Sequence, residues 1–143
     1  MREKALQLLG LMRRASAIAA GETGTGTAVR GGKAKLLLIA EDASENARSR
    51  AEGFAAGRRV IVVQLPFTKA ELAGSLGLSG CSMAAVTDLG FAQALMKLLA
   101  SEFPERYEDS FQEIQRRFSK AQRRKAETEQ ARNKRNGKRR TSV

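Results

Sequence analysis

Residues 32–42 read Gly32-Lys33-Ala34-Lys35-Leu36-Leu37-Leu38-Ile39-Ala40-Glu41-Asp42. The run from Lys35 to Ala40 is continuously apolar after its lysine. That is the pattern of a strand covered on both faces rather than one face wet and one dry. Gly31-Gly32 stop whatever precedes it, and Glu41-Asp42-Ala43-Ser44 make a polar turn after it. Ser44 is placed to cap a helix reaching about Ala56, which Gly57 ends. A strand that needs cover on both sides, followed at once by a helix, belongs to a layered α/β fold.

Working outward, the alternation continues in both directions. Val60-Ile61-Val62-Val63 reads as a second buried strand, Thr68 to Leu72 as a short helix, and Leu76-Gly77-Leu78-Ser79-Gly80 as a loop. Ser82 to Val86 is a further strand, and Asp88 caps a helix from Leu89 to Leu99, with Leu95, Leu98 and Leu99 facing inward. On the N-terminal side, residues 2–14 form a helix with Leu6, Leu9 and Met12 on one face, and Ala17 to Ala20 a short strand. The intervening Gly21-Glu22-Thr23-Gly24-Thr25-Gly26-Thr27 reads either as a loop or as the start of a weak helix running to Arg30. The sum is an α/β/α sandwich.

Composition narrows the chemistry. The chain has 143 residues, 42% of them hydrophobic, with no His and one Cys. That length suits one domain with an appendage. Without His, and with Cys81 alone, neither a structural zinc site nor a His-based catalytic relay is expected. A single cysteine suits a reducing, cytoplasmic setting. The N-terminal stretch is too polar for a signal peptide, and no segment approaches the roughly 18 apolar residues of a membrane helix.

Charge is informative once it is divided. Residues 1–115 carry 14 Lys/Arg and 13 Asp/Glu, whereas residues 116–143 carry 12 Lys/Arg and two Glu. The +11 net charge is therefore almost entirely C-terminal. Arg123, Arg124, Lys125, Arg132, Lys134, Arg135, Lys138, Arg139 and Arg140 form a basic tail, the electrostatic footprint of a polyanion partner. Between domain and tail, Phe103, Tyr107, Phe111, Ile114 and Phe118 recur at spacings of 4, 4, 3 and 4, one apolar stripe on an amphipathic helix that Pro104 opens. The stripe either packs back on the domain or docks on the ribosome or another protein. The expected division is residues 1–100 as the domain, 101–118 as the helix, and 119–143 as a tail that is helical and then, from Asn133 to Val143, disordered by composition.

Catalytic and nucleotide motifs fail on inspection. A phosphate-binding loop ending at Gly32-Lys33 needs Gly at 27 and Ser or Thr at 34, where Thr27 and Ala34 stand. A dinucleotide fingerprint from Gly24 needs Gly or Ala at 29, where Val29 stands. Glu41 and Asp42 point to opposite faces of a strand and make a poor acid/base pair. No nucleophile or general base is evident, so neither an enzyme nor a cofactor is expected.

Taken in order, Leu9-Gly10-Leu11 with Arg14-Ala15, Gly21, Arg30 to Ser44, Glu71-Leu72 with Gly77, and Ala85 to Ala92 resemble the L-seven-Ae superfamily of ribosomal and kink-turn RNA-binding proteins, in its bacterial YlxQ-like branch. The resemblance spans residues 5–99. It implies a sandwich with a mixed four-stranded sheet, and RNA gripped at the start of the second helix. There the family's Gly-x-Asn-Glu, with a Lys three residues on, reads sheared G·A pairs. A neighbouring loop with an apolar tip covers a flipped-out base.

Carried over residue by residue, the family's Gly is Gly21, while its Asn, Glu and Lys fall on Thr23, Gly24 and Thr27. Glu22 lies between them. The loop is Leu78-Ser79-Gly80-Cys81, and Lys33 matches a basic residue ahead of the strand. Thr offers one short hydroxyl and Gly only backbone where Asn and Glu would make directed base contacts. Helix N-terminal amides remain for phosphates, and Arg30, Lys33 and Lys35 are candidates for contacts to the RNA backbone. The expected function is binding of structured RNA, ribosomal RNA foremost, as a ribosome-associated protein or assembly factor. The alternative is a protein-interaction adaptor working through the 103–118 stripe.

Overall fold

The computed structural model describes the backbone of residues 1–141 and the side chains of residues 1–135. Four strands, β1 (Ile18–Ala20), β2 (Leu36–Ile39), β3 (Ile61–Gln64) and β4 (Met83–Val86), alternate with helices α1 (Arg2–Arg14), α2 (Gly21–Arg30), α3 (Glu45–Ala55), α4 (Lys69–Leu76) and α5 (Leu89–Glu102). A long helix, α6 (Pro104–Thr141), follows. The sheet order is β1-β4-β2-β3, with β4 antiparallel to both neighbours and β2 parallel to β3. Helices α2 and α3 pack on one another, as do α1 with α4 and α5, which gives the three-layer sandwich with a mixed sheet.

The apolar run at residues 35–40 is the centre of this core. Leu36, Leu37 and Leu38 of β2 are fully buried, as are Ala84, Ala85 and Val86 of β4. Each buried Leu contributes about 1.5–3 kcal/mol of transfer free energy. The neighbouring helices carry their expected caps. The Ser44 hydroxyl accepts from the Ala47 amide at 3.1 Å, and the Asp88 carboxylate from the Phe91 amide at 2.9 Å.

Several expectations are corrected. The strand expected at Val60–Val63 to be buried is instead the sheet edge. Of its residues only Val63 is buried, and Val62 is 37% exposed. A run of four β-branched residues signals strand but does not say how many neighbours the strand has. The short helix at 68–72 continues to Leu76, which is fully packed rather than looped. Its first turn is a capping box of Thr68 and Glu71, and Glu71 also pairs with Arg2 of α1. The Thr68 amide first, and then Arg2, hold the Glu71 carboxyl below its ordinary value.

The 103–118 stripe packs on its own domain. Tyr107 and Ile114 are buried, with Phe103, Phe111 and Phe118 half-buried beside them, and α6 runs back along α5. The Tyr107 hydroxyl donates to the Gln64 carbonyl at 2.6 Å, and Arg117 Nη1 to the Arg59 carbonyl at 2.6 Å. These two bonds tie α6 to both ends of the β3 segment and so guard an otherwise open sheet edge. The composition of Asn133–Val143 pointed to disorder, but the helix continues to Thr141; Ser142 and Val143 lie outside the described residues.

Candidate nucleic-acid interface

Strand register fixes two ends of the sheet. Ile18, Leu36 and Ile61 align with Val86 at one end, while Ala20, Ile39 and Gln64 lie towards Met83 at the other. The second end carries the start of α2 and the loop before β4.

At that end the chain turns from β1 into α2 through Gly21, whose φ of +82° is open to glycine and strained for other residues. Ala20 occupies the N-cap position and supplies no side-chain bond to the first-turn amides of α2. Opposite stands the loop at 78–82. Gly21, Glu22, Asp42, Lys69, Ser79, Gly80 and Cys81 line a cleft of about 620 Å³ between them. The sequence placed Gly21, Glu22 and Ser79–Cys81 at one site, and the fold brings them together.

The side chains there are committed to the protein. Glu22 is ion-paired with Arg50 of α3 at 2.6 Å, and Asp42 accepts from the Lys69 amide at 2.7 Å. Thr23 and Thr27 are exposed, but the Thr27 hydroxyl donates back to the Thr23 carbonyl at 3.0 Å. Leu78 is half-buried against the core, which leaves Ser79 and Gly80, not an apolar residue, at the exposed tip. Cys81 is buried, its thiol donating to the Met83 carbonyl at 3.1 Å. Burial pushes its pKa up against the opposing hydrogen bonds from the Gly21 amide and at Met83, so the thiol stays protonated. This cleft can offer backbone amides and small hydroxyls to phosphate oxygens, and few directed groups to base edges.

The cations lie elsewhere. Arg30 closes α2 at the opposite end, its guanidinium 5.8 Å from the Phe54 ring centroid, and Lys33 and Lys35 lead into the start of β2 at that same end. The residues selected from sequence therefore split between two ends of the molecule. Sequence reasoning missed Arg58, Arg59, Arg117 and Lys120, which gather around Lys35. The parallel pairing of β2 with β3 puts their preceding loops together, a signal available only once the sheet order is known. Of the basic tail, Arg123, Arg124, Lys125, Arg132, Lys134 and Arg135 are exposed on α6, while Lys138, Arg139 and Arg140 lie beyond the described side chains. Among the described residues no helix is long and apolar enough to cross a membrane, and no group of three or more metal-ligating residues occurs.

A family model described as the ribosomal protein L7Ae/L30e/S12e/Gadd45 family matches residues 3–96. The chain belongs to this family. It is similar to the RNA-binding protein YlxQ of Bacillus subtilis, 35% identical over 96 residues that make up 64% of this chain and 91% of that one. It is also similar to the RNA-binding protein YlxQ of Enterococcus faecium, 33% identical over 98 residues covering 68% and 93%. Among solved structures, a protein of unknown function from Bacillus halodurans superposes with a TM-score of 0.61 at 26% identity, over 66% of this chain and 95% of that one. The family match stops at residue 96, so α6 lies outside it.

Proposed function

We propose that this protein binds structured RNA, ribosomal RNA foremost, as a cytoplasmic ribosome-associated protein or assembly factor. In this reading it holds RNA by shape and backbone rather than by reading a kink-turn. The observation that carries this reading is the juxtaposition of the α2 N-terminus, to which Ala20 supplies no side-chain bond, with the Ser79–Cys81 loop. Amides at a helix start favour phosphate oxygens. The cations of α6 add affinity that does not depend on sequence. Family membership and the printed function of the two YlxQ relatives support the same partner.

The adaptor reading loses its surface, because Tyr107 and Ile114 are core residues. Chemistry is not proposed for the cleft, whose charged members are Glu22, Asp42 and Lys69 and whose thiol is held protonated.

The test is to crosslink the protein to RNA in cells and sequence the recovered fragments. Fragments concentrated at a few positions of ribosomal RNA are expected. Fragments spread over messenger and transfer RNA in proportion to abundance would contradict the ribosomal assignment.

A further inference from the structure

At the opposite end of the sheet from the family's RNA edge, a cleft of about 550 Å³ opens between the loops before β2 and β3, the start of α5, and α6. Six of its lining side chains are cationic: Lys35, Arg58, Arg59, Arg117, Lys120 and Arg124. No carboxylate lines it. Three of the six come from the domain and three from α6, so the site exists only because the stripe docks the helix. Arg117, Lys120 and Arg124 follow at spacings of 3 and 4, which stacks them on one helix face. The apolar stripe ends at Phe118, and the exposed Lys120 and Arg124 follow it.

The cations are positioned rather than merely numerous. Arg58 Nη1 donates to the carbonyls of Val29 and Arg30, each at 3.3 Å, which orients the guanidinium without neutralising it. Arg117 is bonded to the Arg59 carbonyl and shares Glu113 with Arg116. Among the described residues, Lys35, Arg58, Arg59, Lys120 and Arg124 form no ion pair. Like charges gathered around one concave surface repel one another and focus a positive potential into it, which an anion relieves.

We infer that this cleft is a second RNA-binding site, taking the phosphodiester backbone of a strand distinct from the one at the α2 edge. The occupant rests on RNA being the partner proposed above; the location does not. Lys and Arg heads gathered around one cleft, with no Asn, Gln or carboxylate lining it, suit phosphate oxygens, which position a strand rather than specify its sequence. The protein then holds RNA at both ends of its sheet.

The test compares two full-length variants that lose the same charge. One is Lys35→Gln, Arg59→Gln, Lys120→Gln and Arg124→Gln, which spares Arg58 and Arg117 because their side chains bond to backbone carbonyls. The other is Lys4→Gln, Arg13→Gln, Arg14→Gln and Lys97→Gln, exposed positions that do not line the cleft. Both are checked by thermal melting and titrated with a plain RNA duplex of about 20 base pairs at several salt concentrations. Each lost phosphate contact removes about 0.7–0.9 from the log–log salt slope, so the cleft variant should fall by roughly three and the control by less than one. Equal falls overturn the cleft.

A wild type that binds no RNA fails the RNA reading itself and the occupant with it. Inorganic triphosphate is titrated in parallel. Binding of triphosphate that the cleft variant abolishes, with RNA binding untouched by that variant, would make the occupant a small anion and overturn the RNA assignment.

Discussion

At the scale of single residues, the glycine stretch separates into positions with different physical demands. Gly26 is needed for packing: a Cβ there would stand 3.0 Å from the Phe54 ring, where α2 meets α3. Gly24 is not, since its Cβ would find only ordinary contacts at 3.7 Å with Ala19. Thr23 and Thr27 are exposed on the same helix. The triple change Thr23→Asn, Gly24→Glu and Thr27→Lys therefore fits the backbone and should install the base-reading groups of the family. One well-formed contact is worth about 1–3 kcal/mol, so roughly tenfold tighter binding of a consensus kink-turn is expected by titration at fixed salt. A folded triple variant with no gain would remove the α2 edge as an RNA-binding site.

Thr25, on the inward face of the same helix, is fully buried, and its hydroxyl has no protein partner among the described residues. An unsatisfied buried hydroxyl costs about 1–3 kcal/mol. Thr25→Val keeps the β-branched shape and removes that cost, so a higher denaturation midpoint with unchanged m-value is expected. None of this was readable beforehand. Three glycines in a row of seven said only that the segment was flexible or tightly packed, and which one depended on Phe54, 28 residues downstream of Gly26.

At the scale of elements, α6 is the addition that distinguishes this chain from the matched region of its family. Its first half is core. Ile114 is fully buried, so Ile114→Ala should cost about 2–5 kcal/mol in a denaturant melt, whereas a free docking face would leave stability unmoved. Its second half is a cationic arm. Residues 119–143 hold ten Lys/Arg. If half of them meet phosphates, deleting the segment should flatten the salt dependence of RNA binding by about four log–log units. Equal slopes with and without the arm would exclude it from binding.

The stripe at 103–118 was fully legible as a helix face because its period matches 3.6 residues. Its destination was not, because the same periodicity serves self-docking and partner-docking alike. The extent of the helix past Asn133 was hidden for a related reason. Charge-rich composition argues against a packed core, but a single solvated helix needs none, and its backbone bonds are satisfied within itself.

At the scale of the whole molecule, the alternation of short buried strands with capped helices was readable from the chain. The run at Lys35–Ala40 stood at the centre of the sheet as its lack of alternation required. Sheet order was not readable, and it decides the electrostatics. The antiparallel insertion of β4 between β1 and β2 places the α2 start and the 78–82 loop at one end, and Lys35, Arg58 and Arg59 at the other. The chain thus has a nearly charge-balanced family edge and a strongly cationic opposite pole. A molecule so divided should bind RNA steeply with salt and with little regard for base sequence.

The direct test is a salt titration of the full-length protein against a consensus kink-turn and a plain duplex of equal length. Two steep, nearly parallel lines of log affinity against log salt are expected, separated by less than about tenfold. A shallow kink-turn line lying a hundredfold or more above the duplex, and holding that margin at high salt, would show base-directed recognition at the α2 edge and contradict binding by shape and backbone.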